Sequence, residues 1–192
     1  IEGYLREYLN VEKIIWIKDG IDPDETNGHI DDVACFVRPG EAACIWTDDE
    51  ESPFYEAAHA AYETLSQATD AKGRQLKVHK LVMPKELTYM TQEEVDAVDV
   101  VEGTLPRTTE DYAIASYMNF LIVNGGVIVP QYDDEYDELA LDQVREMFPD
   151  REVVGVSTRE VPTAAQHPLH HPARASGQRV GSPVSGPDRQ CL

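Results

Sequence analysis

Val33-Ala34-Cys35-Phe36-Val37, then Arg38-Pro39-Gly40, then Glu41-Ala42-Ala43-Cys44-Ile45-Trp46 sets two apolar runs about a Pro-Gly turn. Short runs of apolar residues broken by turn formers predict a β-hairpin. A two-residue turn would place Cys35 opposite Cys44, two small apolar residues in a buried sheet.

The chain downstream decides what this hairpin belongs to. An acidic loop, Thr47 to Pro53, ends in Ser52-Pro53, which can start a helix. Phe54 to Thr69 has helical composition, Lys72-Gly73-Arg74 breaks it, and Leu76 to Met83 reads as the next strand. The order then returns. Phe120 to Val123, the turn Asn124-Gly125-Gly126, and Val127 to Pro130 form a second hairpin. The acidic stretch Asp133 to Asp137, an amphipathic helix at Glu138 to Met147, and a strand at Val153 to Val156 follow. Turn to turn the spacing is about 85 residues, long for a solenoid repeat. Matching order across two halves predicts an α/β assembly of ββαβ modules, against an ordinary α+β domain with two hairpins. Outside this pattern lie a helical stripe at Ile1 to Leu9, a strand at Val11 to Ile17, and a surface excursion from Pro84 to Pro106 with a short helix at Gln92 to Val98. Asp111 to Asn119 reads as helix or entry loop.

The formal charge of −20 argues against nucleic acid, whose binding needs Lys and Arg on phosphate. It favours capture of a small cation. No apolar run is long enough for a membrane span, and the first residues are not a signal peptide. Three cysteines make no disulfide framework, so a reducing, cytoplasmic setting is expected. A start without methionine, inside an amphipathic pattern, suggests a fragment. Pro162 to Leu192 is rich in Pro, Ser, Gly, His and Arg and lacks lysine. Such a segment is expected to be disordered.

Just upstream of the hairpin stands Asp24-Glu25-Thr26-Asn27-Gly28-His29-Ile30-Asp31-Asp32, with four carboxylates and one imidazole. Charge at the mouth of a buried strand is costly unless paired or used. If His29 begins the strand, His29 and Asp31 share a face, roughly 7 Å apart at the base. An imidazole beside a carboxylate suits a small cationic or carbonyl substrate.

Thr26 to Phe36 resembles the histidine motif of the agmatine deiminases, in the wider peptidylarginine-deiminase group. Ser116-Tyr117-Met118-Asn119-Phe120, Asn124-Gly125-Gly126-Val127, Val129-Pro130-Gln131, Phe148-Pro149-Asp150-Arg151 and Arg159-Glu160-Val161 match it in order. The resemblance covers residues 1–161 and implies part of a pentein, the α/β-propeller fold of pseudo-fivefold symmetry. It implies hydrolysis of agmatine to N-carbamoylputrescine and ammonia, towards putrescine, through a covalent amidino-cysteine. It implies no cofactor or metal, and a homodimer at full length. By the same resemblance His29 is the general acid/base, Asp31 grips the guanidinium, and Glu25 is the weaker match, for the substrate's distal amine. Asp32 is expected to cap or bond its local turn. The acidic loops at 48–51 and 133–138 are expected to be solvated faces.

The departures are informative too. The family's nucleophile lies in Tyr-Gly-Gly-Gly-Asn-Ile-His-Cys-Ile-Thr-Gln-Gln, expected just after Val161, where this chain has Pro162-Thr163-Ala164-Ala165-Gln166-His167-Pro168. One codon choice for Ala165 to Arg174, read one base later, gives Arg-Asn-Ile-His-Cys-Ile-Thr-Gln-Gln. Residues 162–192 are therefore expected to be a frame-shifted tail, and the chain is expected to be inactive. Cys35, Cys44 and Cys191 are not expected to replace the nucleophile. The alternatives are a non-catalytic pentein-type module binding cationic amines or guanidines, and a metal hydrolase using His29, Asp31 and Asp32. A further possibility is metal binding by the tail histidines, His167, His170 and His171.

Overall fold

The computed structural model describes residues 1–21, 28–98 and 105–158. Within them two units share one topology. The first runs β1 (Ala34–Arg38), β2 (Glu41–Trp46), α2 (Tyr55–Gln67) and β3 (Lys77–Val82); the second runs β6 (Leu121–Val123), β7 (Gly126–Gln131), α4 (Asp137–Met147) and β8 (Glu152–Ser157). In each, the first two strands are an antiparallel hairpin, and the helix carries the chain over to a third strand parallel to the second. A parallel partner requires such a crossover. Gly40 (φ 83°) and Gly125 (φ 80°) supply the left-handed residue each tight turn needs.

Each helix buries one stripe on its sheet. For α2 this is Ala58, Ala61 and Leu65; for α4 it is Ala140, Leu141, Val144 and Met147. The spacing is helical, and the alanines let the helix lie close to the strands. The two units share one core, in which Ile45, Leu81, Val129 and Val144 are fully enclosed. Removing a side chain such as Leu81 from water contributes about 1.5–3 kcal/mol. The units are also joined by polar bonds: the Val82 amide donates to Oε1 of Gln143 at 2.9 Å.

The remaining elements sit between or beside the units. α1 (Glu2–Leu9) buries none of its residues. β4 (Thr88–Tyr89) pairs with β5 (Tyr112–Ala113), flanking α3 (Gln92–Ala97). That helix starts with a reciprocal cap between Thr91 and Glu94. Two 3-10 turns, Ile30–Asp32 and Tyr117–Asn119, lead into the two hairpins.

The structure corrects the sequence reading at several points. Cys35 faces Ala43 and Cys44 faces Ala34, because the register shifts between Phe36 and Arg38. The extra residue, Val37, is a bulge, which moves every upstream pair by one position. Residues 11–17 form no strand; among the described residues no strand pairs with them, and a strand exists only through its ladder. The acidic stretch at 133–138 is not simply a solvated face. Asp134 accepts from the amides of Lys85, Glu86 and Tyr136, and Asp137 from the Tyr132 amide and the Tyr117 hydroxyl.

Candidate functional site

His29 does not start a strand. It has extended backbone (φ −109°, ψ 130°) and immediately precedes the 3-10 turn, while β1 begins only at Ala34. Strand alternation therefore does not relate His29, Asp31 and Cys35, because three residues per turn separate successive side chains by about 120°. What the structure keeps is their nearness in one short turn. His29 is half-buried, Asp31 is exposed, and Asp32 is buried. The two adjacent carboxylates thus diverge, so His29, Asp31 and Asp32 do not form a common ligand set. Among the described residues no group of three or more His, Cys, Asp or Glu could hold a metal ion. The tail histidines, Glu25 and Cys191 lie outside the described residues.

Gly28 fixes the entry to this turn. Its φ is 89°, and a Cβ there would lie 2.5 Å from Cα of Gly20. Only glycine combines the left-handed backbone with so close an approach. At its end the Val33 amide donates to the Ile30 carbonyl at 3.0 Å. The Ile45 amide then holds the Val33 carbonyl at 2.9 Å, tying the turn to β2.

From the other side the second 3-10 turn holds it. Nδ2 of Asn119 donates to Oδ1 of Asp32 at 2.6 Å, and Oγ of Ser116 donates to the Asp32 carbonyl at 2.9 Å. Ser116 is fully enclosed, its carbonyl accepts from the Tyr132 hydroxyl at 3.1 Å, and its Oγ accepts from the Met118 amide at 3.2 Å. The Tyr117 hydroxyl donates to Oδ1 of Asp137 at 2.7 Å. Burial, and then the Asp137 carboxylate, push the Tyr117 hydroxyl far up, so it stays a donor. Asp32 thus does more than cap its own turn: its carboxylate is bonded across 87 positions. Sequence reasoning placed Asn119 and Ser116 in a matching motif but gave them no role. Nothing local signals a partner so distant.

The described thiols are not poised as nucleophiles. Burial pushes both Cys35 and Cys44 up to about 12, so neither supplies a useful thiolate near neutral pH. The carboxylate and imidazole groups are of the types that orient a cation and relay protons, but neither described cysteine is an activated thiol.

Residues 1–167 match the model of the Porphyromonas-type peptidyl-arginine deiminases. A protein of Lactococcus lactis, assigned provisionally as an agmatine deiminase, is 68% identical over 162 residues, which is 84% of this chain and 43% of the relative. The agmatine deiminase of Pseudomonas aeruginosa (strain LESB58) is 50% identical over 161 residues, again 84% of this chain and 44% of the relative. The solved structure of the agmatine deiminase of Enterococcus faecalis is 62% identical, with a TM-score of 0.77 over 84% of this chain and 44% of that one. The chain therefore spans less than half the length of these relatives. The α/β architecture is the pentein fold expected above, in part.

Proposed function

The chain belongs to the Porphyromonas-type peptidyl-arginine deiminase family, and from that premise we propose that it carries part of a site for hydrolysing agmatine. In this reading Asp31 grips the guanidinium and His29 moves protons for the departing ammonia and the incoming water. Glu25 serves the distal amine. The physical logic favours these types. A carboxylate holds a guanidinium in a fixed plane, and an imidazole titrates where both proton transfers must occur. A cysteine thiolate, attacking the guanidinium carbon, would divide the displacement into two easier steps and release N-carbamoylputrescine. That sulfur is not supplied by Cys35 or Cys44. The reading is of a cofactor-free, cytoplasmic enzyme of putrescine formation, a homodimer at full length, with no nucleic-acid or membrane partner. No described helix is long and apolar enough to cross a membrane.

The observation that carries the reading is the turn at residues 29–32. A half-buried imidazole and an exposed carboxylate stand two positions apart, on backbone held by β2 and by the second 3-10 turn. Titrating agmatine into isotope-labelled protein tests it. The expected result is movement of the His29 and Asp31 resonances, lost in Asp31→Asn. Resonances at 28–33 that ignore millimolar agmatine would overturn it.

The polypeptide as written is proposed to bind without turnover, which keeps the alternative of a non-catalytic module for cationic amines within reach. Residues 162–192 are proposed to be a frame-shifted tail. The family match ends at residue 167, so most of this tail lies outside it. An intact reading frame in the gene across residues 155–175 would remove the frameshift, and ammonia released from agmatine by this chain would remove the claim of inactivity.

A further inference from the structure

We propose that Asp32, Asn119 and Ser116 are positioning residues: they clamp the His29–Asp31 turn from behind and set the direction in which it meets a guanidinium. The inference rests on the agmatine-site reading above and names residues in that site which touch no substrate.

The turn has little of its own to hold it. A 3-10 helix of three residues has room for very few internal bonds, among them here the one from the Val33 amide to the Ile30 carbonyl. One turn of helix is unfavourable in isolation, because several dihedrals are fixed for one bond. Ile30 is 57% exposed, so packing of its side chain does not hold the turn either. What remains is Asp32, at 8% exposure the one buried residue of the three.

Both a side-chain oxygen and the carbonyl of Asp32 are taken by the second 3-10 turn and its cap. Asn119 donates to its carboxylate at 2.6 Å, and Ser116 to its carbonyl at 2.9 Å. These donors are themselves fixed. Ser116 opens the second 3-10 turn, caps it through the Met118 amide, and is held at its carbonyl by Tyr132. Two short turns, each weak alone, are thus locked back to back. Adjacent side chains on a 3-10 turn diverge, so pinning Asp32 inward fixes where Asp31 points outward. A buried carboxylate that loses its donor is strongly unfavourable, and the turn would then swing to hydrate it.

The test uses the full chain and agmatine as the probe. Asn119→Asp sets two carboxylates where the 2.6 Å bond now lies, and the reciprocal swap, Asp32→Asn with Asn119→Asp, restores the same bond in reverse. With folding checked by thermal unfolding, Asn119→Asp should weaken agmatine binding about tenfold, the scale of one lost buried partner. The His29 ring resonances should move in the same variant. The swap should restore both affinity and resonances. A folded Asn119→Asp that binds as the parent does, or a swap that restores neither, overturns the inference. Should Asn119→Asp fail to fold, the swap decides alone: parental affinity upholds the clamp and lost binding refutes it. A parent chain that ignores agmatine refutes the functional reading instead. The clamp is then decided by the His29 resonances, which must still move in the single variant and return in the swap.

Discussion

Asp32 and Asp70 are both buried carboxylates, and their surroundings give them different duties. Asp70 closes a turn between α2 and β3: it accepts from the amides of Lys72 and Arg74 and pairs with the Arg74 guanidinium at 2.6 Å. Burial alone would raise its pKa, but the Arg74 and Lys72 bonds outweigh it and hold the carboxyl below the ordinary aspartate value. A depressed folded value means the unfolded chain binds the proton more readily. The contribution is therefore fully present above the ordinary value and is lost as pH falls through the folded one. Unfolding measured by urea over a series of acidic pH values should show a flatter acid limb for Asp70→Asn than for the parent. Equal limbs would mean that the turn carries no linked proton. The thiols give a second expectation at this scale. Cys44 is fully enclosed and its thiol is raised to about 12, so at neutral pH iodoacetamide should modify it only as fast as the protein unfolds. Mass-spectrometric labelling that outpaces unfolding would contradict that burial.

At the scale of elements, the second 3-10 turn is fastened to α4. The Tyr117 hydroxyl donates to Asp137, the first residue of that helix, and the same carboxylate oxygen accepts from the Tyr132 amide. Tyr117 is fully enclosed. Tyr117→Phe keeps the ring and removes the bond, so stability in urea should fall by about 1–2 kcal/mol. A loss below a few tenths would show that the hydroxyl is dispensable. Gly28→Ala should act on the first turn. The left-handed backbone and the 2.5 Å approach to Gly20 leave no room for a methyl group, so agmatine-dependent shifts at His29 should shrink or vanish. The same elements show what sequence could carry. Both hairpins, both crossover helices and their parallel partners were legible, because turn residues and hydrophobic period are local signals. The strand face expected to join His29 and Asp31 was not, because a 3-10 turn stands where strand alternation was read. The Val37 bulge was not, since an extra residue leaves the apolar pattern intact while shifting the register. Nor was the bond from Asn119 to Asp32, which depends on how two distant turns meet.

Across the whole molecule the two units share a topology but not a degree of cover. Their ladders correspond pair by pair, β2 with β3 as β7 with β8. On β2 and β3, Ala43 and Leu81 are fully enclosed, with the second 3-10 turn and α4 lying against those strands. The corresponding residues on β7 and β8, Ile128 and Val156, are 39% and 44% exposed, and their neighbours Leu121 and Val154 are 58% and 45% exposed. A continuous apolar sheet face of this kind promotes association. The chain's charge of −20 opposes it through mutual repulsion. Which effect wins is a question of range: repulsion between exposed charges is screened beyond about 8 Å in physiological salt, whereas apolar contact is not. The apparent mass in light scattering should therefore rise with protein and salt concentration. Val154→Lys should suppress that rise at a stability cost within about 0.5 kcal/mol, as the site is already exposed. The substitution also separates the two causes. It makes the net charge less negative, which weakens repulsion, so reduced association can come only from the altered sheet face. A Val154→Lys protein that associates as readily as the parent would place the attraction elsewhere on the molecule.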